Sequence, residues 1–243
     1  MPPGEWAPDQ AAPASVPLPR LPGVTSPGPR GPYAKGRERR REILRVALEA
    51  YAQAGPRGVS LKEIASRAGV TEAGLLHHFG SKESLLSEVL AARDAAGAEM
   101  FGDVLDAEHL RALVRYNTTT PGLVRLFVDV VAAASRPDHP AHEVFRERYR
   151  TIRAIGEASF ERQVAESAAV PDAAVPDGAF DDPAWISRVI FAAMDGLQVQ
   201  WLLDDDVDMA GDLARLHAAL LALGSASRRD AEAPTREEPP APA

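Results

Sequence analysis

The chain has 243 residues, of which 45% are hydrophobic, so it can bury the core of one large domain or two small ones. It contains no cysteine, which excludes disulfide bonds, thiolate metal sites and a cysteine nucleophile, and favours a reducing compartment. The net charge of −8 argues against nucleic-acid binding only if the charge is spread evenly. It is not, because residues 31–90 carry ten basic and seven acidic side chains, a net +3 that leaves −11 for the remainder. This basic segment can be drawn to phosphate while the rest of the chain stays clear of it.

The composition also bears on location and on catalysis. No run of about 18 uncharged apolar residues is present, and the first thirty residues lack the pattern of a secretory signal. We therefore predict a cytoplasmic protein with no membrane partner. The sequence has no glycine-rich phosphate loop, HExxH pair or Gly-x-Ser-x-Gly elbow, so we expect neither a cofactor nor enzymatic activity.

The two ends of the chain differ from its middle. Residues 1–32 and 225–243 are rich in Pro and Ala and are predicted to be disordered tails. Between them, apolar residues recur at spacings of three and four, which predicts an all-α fold. We divide this part into a DNA-binding domain over residues 33–90 and a ligand-sensing and dimerisation domain over residues 91–224.

The first three helices have clear start and stop signals. The first is predicted over residues 36–54. Ser60 is placed to cap the second helix while Glu63 reaches back to it, which forms a capping box. That helix ends at Gly69, and Thr71 caps the third after a two-residue link.

The remaining helices follow from glycine, proline and apolar periodicity. The third helix stops near Gly80, and Ser81 caps a fourth that runs to about Phe101. A Pro/Asp/Gly-rich loop is predicted over residues 169–182. Five further helical segments are predicted near residues 107–119, 121–135, 141–168, 183–203 and 208–223.

The stretch SLKEIASRAGVTEAGLLHHFGSK, residues 60–82, has the geometry of a helix-turn-helix. Gly69 can adopt the left-handed conformation that reverses the chain between two short helices. The third helix is expected to bury Leu75 and Phe79, so its opposite face can enter the major groove of DNA. That outer face is predicted to carry Glu72, Ala73, Gly74, Leu76, His77 and His78.

In the run GVTEAGLLHHFGSKESLL the sequence resembles the tetracycline-repressor (TetR) family of regulators, over about residues 37–90. The resemblance implies a three-helix DNA-binding domain, a C-terminal helical bundle and a homodimer. Many members have Tyr where this chain has Leu76, so a phosphate contact is expected to give way to an apolar one. The resemblance places Glu72, Ala73, Gly74, Leu76 and His77 against DNA, and Thr71, His78 and Lys82 nearer its backbone.

The same resemblance implies a small-molecule effector that binds among the body helices, in a pocket lined by apolar and aromatic side chains. Since no charged cluster stands out in the sequence, we expect a largely apolar effector. The pocket candidates, although residues of these types are more often plain core, are Phe101, Tyr116, Phe127, Tyr149, Trp185 and Met194.

Dimerisation is expected because one helix-turn-helix reads only a few base pairs, and two-fold pairing places two of them one helical turn apart. Two long predicted helices, residues 141–168 and 183–203, could supply the interface, and the second has an apolar stripe too broad for one buried contact. The resemblance implies a four-helix interface between protomers, and the alternative is an internal core helix. The interface candidates are Ile186, Val189, Ile190, Ala193, Leu197 and Trp201.

Two segments contain residue types that bind metals. Asp138, His139, His142 and Glu143 stand at a loop-to-helix junction, and the acidic run 204–208 bridges two helices. We interpret both as helix caps and turns and predict no metal.

The sequence therefore predicts a ligand-responsive transcription regulator that binds a palindromic double-stranded operator as a dimer. We expect a repressor that a small molecule releases. The alternative is a helical ligand-binding or structural dimer that has lost operator binding.

Overall fold

The structure is a computed structural model that describes residues 32–101, 105–166 and 182–232. Within these ranges it contains nine helices and no strand, so the fold is all-α as predicted. None of the helices in this described part is long and apolar enough to cross a membrane. The helices are α1 (Pro32–Gly58), α2 (Leu61–Arg67), α3 (Glu72–Phe79), α4 (Lys82–Phe101), α5 (Ala107–Thr118), α6 (Pro121–Ala134), α7 (His142–Glu166), α8 (Pro183–Leu203) and α9 (Met209–Glu232).

The helix ends agree with the predicted ones to within about four residues, except at α9. That helix continues to Glu232, through residues predicted to belong to a disordered tail. The helical backbone of α1 is interrupted at Gly55, where φ is 66°, close to its predicted end. Most of the two predicted tails, residues 1–31 and 233–243, lies outside the described residues, as do residues 167–181 of the predicted loop.

The helix-turn-helix is formed by α2 and α3. The Ser60 Oγ accepts a hydrogen bond from the Glu63 amide at 3.1 Å and so caps α2. The second half of the predicted capping box is absent, because the Glu63 carboxylate pairs with Arg67 one turn along the helix, at 2.5 Å. Gly69, with φ of 64°, turns the chain into α3 as predicted.

The first of two hydrophobic clusters joins the N-terminal helices to the body. It contains buried residues of α1 to α4 together with Leu123, Leu126 and Phe127 of α6 and Phe145 of α7. Helix α4 also continues past residue 90 to Phe101. The predicted DNA-binding domain therefore shares its core with the body, and no gap in packing marks the boundary at residue 90.

The second cluster lies within the body. It brings together buried side chains of α5, α7, α8 and α9, with Leu110, Phe160, Ile186 and Ile190 fully buried. Because this cluster is built entirely from helices after α4, the body has a core of its own beside the shared one.

The two segments considered as metal sites act as caps and turns. His139 Nδ1 accepts a hydrogen bond from the Ala141 amide at 3.2 Å, and His142 Nδ1 lies 2.8 Å from the Ala134 carbonyl oxygen. Asp208 Oδ1 accepts from the Gly211 amide at 2.9 Å, at the start of α9.

Candidate functional site

Helix α3 presents two different faces. Leu75 is fully buried and Phe79 is 5% exposed, and both belong to the shared core. The exposed side chains on the opposite side are Glu72, Ala73 and His77, with Gly74, Leu76 and His78 partly exposed. A short helix fixed from behind by two anchors therefore offers one free face, which is the geometry needed to enter a groove.

The start of α3 is fixed by Thr71. Its Oγ1 accepts a hydrogen bond from the Gly74 amide at 3.0 Å, and the residue itself is exposed. A hydroxyl that accepts one hydrogen bond still has a proton to donate. Thr71 can therefore cap the helix and donate to a phosphate oxygen at once. Gly74 supports this arrangement, since a Cβ there would lie 3.1 Å from that oxygen.

Leu76 lies between the core and the outer face of α3. It is partly buried and packs against the shared core, while its remaining surface faces outward with its neighbours on α3. Its side chain can make apolar contact with a base edge, such as the methyl group of thymine.

Unpaired positive charge flanks the two short helices. Lys62 on α2 and Lys82 at the start of α4 are exposed, and neither contacts a carboxylate within the residues that the structure describes. Both are free to approach phosphate.

Several arginines of α1 have structural roles instead. Arg39 Nη2 donates to the Gly69 carbonyl at 2.6 Å and so holds the turn of the helix-turn-helix. Arg40 donates to the His78 carbonyl, pairs with Glu88, and lies over the Phe79 ring at 4.3 Å. The basic charge of this segment is thus partly used to position α3.

A second site lies in the body, where α4, α5, α7 and α8 border a half-open cavity of about 140 Å³. Its apolar walls include Leu113, Ile152, Ile155, Phe191 and Met194. Arg93, Asp94, Asn117 and Arg148 also line it, so the cavity is not purely apolar.

Arg93 is the most buried cation of this cavity. It is 8% exposed, and its Nη2 donates to Asn117 Oδ1 at 2.6 Å. Its guanidinium lies 5.8 Å from the centre of the Phe127 ring. Burial lowers the pKa of Arg93 below its ordinary value, because the charged form is removed from water.

Arg148 holds Asp94, the one carboxylate among the described residues that line the cavity. Its Nε and Nη2 donate to the two oxygens of Asp94, the second at 3.1 Å. Its Nη1 is buried without a hydrogen-bond partner in the described part of the chain. Burial acts to lower the pKa of Arg148, but the attraction of Asp94 outweighs it and the pKa lies above its ordinary value.

One layer behind the cavity, Tyr149 donates a hydrogen bond to Asp195 Oδ2 at 2.6 Å. Burial raises the pKa of the Asp195 carboxyl above its ordinary range, although this hydrogen bond and the nearby arginines oppose the shift.

The predicted pocket residues are only partly brought together. Tyr116 and Met194 line the cavity, and Tyr149 stands behind it. Phe127 is buried in the shared core beneath Arg93 and Arg148, and Trp185 packs against the body cluster. The side chain of Phe101 lies outside the described residues.

The cavity surface is mostly apolar, as expected, but its charged lining residues Arg93, Asp94 and Arg148 were not predicted. Arg93 and Arg148 were missed because each is one polar residue on an otherwise apolar helix stripe. Arg93 follows Leu85 and Val89 at a spacing of four, and this position on the buried face was the available signal.

Helix α8 corrects the predicted interface in part. Ile186 and Ile190 are fully buried within the protomer, so their side chains cannot meet a partner. Ala193, Leu197 and Trp201 are partly buried and pack against the body cluster. Val189 and Trp185 have the same partly buried environment, so Ala193, Leu197 and Trp201 stay predictions for the interface. The face turned to solvent carries an apolar stripe that includes Val189. This outward stripe consists of Trp185, Val189, Ala192, Gly196, Val199 and Leu203.

Helix α3 is capped at its start, is positioned by α2 and the glycine turn, and leaves its outer face free. Together with the helical body, this defines a helix-turn-helix DNA-binding protein. Residues 43–89 match the family model described as bacterial regulatory proteins, tetR family. This match covers α2, α3 and the parts of α1 and α4 that pack around them.

The similar curated proteins are transcription regulators. The transcriptional repressor KstR2 of Rhodococcus jostii is 42% identical over 52 residues, 21% of this chain and 26% of that protein. The regulator BetI of Rhizobium meliloti is 29% identical over 147 residues, 54% of this chain and 72% of that protein. The match to the first of these relatives spans about a quarter of its length.

Solved structures of similar fold align with most of this chain. A tetR-family transcriptional regulator from Streptomyces coelicolor has a TM-score of 0.56 at 19% identity, and covers 84% of this chain and 92% of its own. A TetR transcriptional regulator from Rhodococcus sp. RHA1 has a TM-score of 0.55, also at 19% identity, over 77% and 97% of the two chains. Both have the fold described above, body included.

Proposed function

We propose that this protein is a transcriptional repressor that binds a palindromic operator as a homodimer and is released by a small molecule. The observation that carries the proposal is α3, whose capped start and buried anchors leave one face free for base edges. Thr71, Glu72, Ala73, Gly74, Leu76, His77, His78 and Lys82 are the proposed DNA-contacting residues. Since it acts on the chromosome, we also propose a cytoplasmic location.

The outward stripe of α8 supports the dimer. Its six members are spaced alternately by four and three residues, the repeat with which two helices pack along a seam. Leu203 is 84% exposed and Val199 41% exposed, although both are apolar. A second copy of the chain would cover this stripe, and the two-fold axis would pair the two α3 helices.

The position of the cavity supports ligand control. Helix α4 contributes Arg93, Asp94 and Gly97 to the cavity, while its first half packs in the shared core beside α3. A ligand that prefers one position of α4 would shift the population between DNA-binding and released dimers.

The test is selection of bound fragments from random duplex DNA by the full-length protein. We expect enrichment of a palindrome, with an affinity that falls steeply as salt rises because Lys and Arg displace counterions. The His77→Ala, Lys82→Ala double variant should lose the enrichment. Arg215→Ala, which removes an exposed charge from the body, is the matched control and should retain it.

The second candidate function is a ligand-binding dimer that has lost operator binding. It is favoured by Glu72, an exposed carboxylate at the face that would meet phosphate. If the folded dimer enriches no DNA sequence, with or without added ligands, the result would support the ligand-binding dimer and contradict the repressor.

A further inference from the structure

We propose that the cavity between α4, α5, α7 and α8 binds a small organic carboxylate, with its anionic group paired to Arg93 and Arg148. The apolar part of the ligand, about one ring in size, would occupy the rest of the cavity. This inference rests on the proposed function and deepens it, since it names the chemical class of the effector.

The described residues that line the cavity carry more positive than negative charge, and the further carboxylate that acts on both arginines, Asp195, is not among the lining residues. Arg93 and Arg148 supply two positive charges. Asp94 is the one carboxylate among the described lining residues. Asp94 is already held by Arg148 through both of its oxygens. Arg93 has only the neutral Asn117 as its hydrogen-bond partner in the described part of the chain.

The donors of the two guanidinium groups are correspondingly underused. An arginine carries five N–H donors in a planar fork that fits the two oxygens of a carboxylate. Arg93 donates one hydrogen bond among the described residues, and Arg148 Nη1 is buried without a partner there. Asp94 and Asp195 act on Arg93 without forming an ion pair with it in the described part of the chain, and a ligand carboxylate would supply that direct pair for a buried cation.

The volume of the cavity indicates how large a group can be buried in it. A cavity of about 150 Å³ lined by apolar side chains accommodates benzene, and this cavity measures about 140 Å³. Leu113, Ile152, Phe191 and Met194 line the same cavity as the charged residues and provide its apolar walls. A carboxylate on a single ring or a short branched chain therefore matches both the charge and the volume.

The proposal is tested by calorimetric titration of the full-length protein, without DNA, with benzoate, cyclohexanecarboxylate and benzamide. Benzamide has the shape of benzoate but no charge. We expect at least one of the two carboxylates to bind, with a Kd at least tenfold lower than that of benzamide.

Three variants separate recognition from folding. Arg93→Met should raise the Kd of the carboxylate at least tenfold while the thermal midpoint stays at or above that of the parent, because a poorly compensated buried charge is removed. The double variant Arg93→Met, Asn117→Leu removes both hydrogen-bonding partners. It serves if the single variant folds poorly, and we expect the same rise in the Kd of the carboxylate. Arg150→Met is the matched control on α7, where an exposed arginine pairs with Glu147, and should leave the Kd unchanged.

A variant without any change of charge tests the location. A Cβ at Gly97 would lie 3.5 Å from Leu113, so Gly97→Leu should fill the cavity and abolish binding. Binding that survives both Gly97→Leu and Arg93→Met would place the carboxylate elsewhere and overturn the proposal.

Equal affinity for benzamide and the carboxylates, or heat from none of the three compounds, would also overturn it. Because the titrations contain no DNA, they are independent of operator binding. A palindrome enriched from random DNA together with a failed titration would leave the repressor function standing and remove only the effector class. The reverse result would keep the carboxylate site and remove the repressor.

Discussion

Thr71 combines a structural and a recognition role in one hydroxyl group. Its oxygen caps α3, and its proton is free for a phosphate. Ser60 makes the equivalent cap at α2, with nearly the same geometry. The two residues therefore allow the cost of a lost cap to be separated from the cost of a lost DNA contact.

We predict that Thr71→Ala and Ser60→Ala each lower the free energy of unfolding by about 1 kcal/mol, the usual value of an N-cap. Thr71→Ala should weaken operator binding more than Ser60→Ala does, and Thr71→Ser should restore it. Denaturant unfolding and a DNA-binding titration measure the two effects. Equal losses of DNA affinity in the two alanine variants would show that Thr71 acts only as a cap.

Single residues also show what the sequence could and could not predict. The caps Ser60 and Thr71 and the turn at Gly69 were predicted because each acts within a few residues along the chain. The role of Arg40 was not predictable, because its partners His78 and Glu88 lie 38 and 48 residues away. The same holds for Arg148 and Asp94, which are 54 residues apart.

Among the elements, α1 and α6 make an unusually close contact at Gly122. A Cβ built at this residue would lie 2.1 Å from the Tyr51 carbonyl oxygen and 2.8 Å from the Gly55 nitrogen. Both are backbone atoms and cannot rotate away. The absence of a side chain therefore allows the start of α6 to pack directly on the last regular turn of α1.

We predict that Gly122→Ala lowers the free energy of unfolding by about 2 kcal/mol or more, within the range for overpacking a closely packed site. Gly36→Ala is the control, because a Cβ at Gly36 meets no atom within 4 Å. That control should be neutral or stabilising, since alanine favours helix over glycine by about 1 kcal/mol. Thermal unfolding of the two variants measures the difference, and similar midpoints would contradict the close contact.

Helix α9 carries a second feature that can be tested, a buried histidine. His217 is 2% exposed, its Nε2 lies 3.2 Å from the Leu105 carbonyl oxygen, and its ring lies 5.4 Å from that of Phe160. Burial lowers the pKa of His217 below its ordinary value of 6.5. The unfolded chain therefore takes up a proton at a higher pH than the folded protein does.

We predict that the contribution of His217 to stability is complete above pH 6.5 and declines as the pH falls from 6.5 toward the lowered folded pKa. The decline is at most about 1.4 kcal/mol per pH unit. His217→Gln should reduce the slope of unfolding free energy against pH between 7.5 and 5.5, while the exposed His77→Gln should not. An unchanged slope in His217→Gln would contradict the prediction.

The helix faces show a further limit of periodicity. On α8 the pattern located an apolar stripe but could not decide which part of it faces the protomer core. Ile190 is fully buried while Leu203 is 84% exposed, because the positions of α7 and α9 settle the orientation of α8. Such packing across helices is not encoded in the spacing of residues on one helix.

For the whole molecule, the outward stripe of α8 leads to a prediction about assembly. We expect the protein to be a dimer of twice its 26.0 kDa protomer mass in light scattering after gel filtration. Ala192→Glu, Val199→Glu should give folded monomers, because two carboxylates would be buried at the seam without partners. Those monomers should also bind the operator much more weakly, since one α3 would remain per particle.

Val144→Glu is the control for this prediction. Val144 is an exposed apolar residue on α7, 49% accessible, and lies outside the proposed interface. The variant should remain dimeric. A dimer that persists in the double α8 variant would assign the interface to another surface.

The shared core also limits how this regulator can be re-engineered. A chimera that joined residues 33–90 to a different sensor at residue 90 would remove Leu123, Leu126 and Phe127 from the cluster around α1 and α4. The transplanted module would then expose apolar surface that α6 now covers, and it would aggregate or unfold. A workable graft has to carry the α6 face with it, or a replacement helix with glycine at the crossing. Operator specificity is therefore more readily exchanged by substitutions on α3 than by exchanging modules.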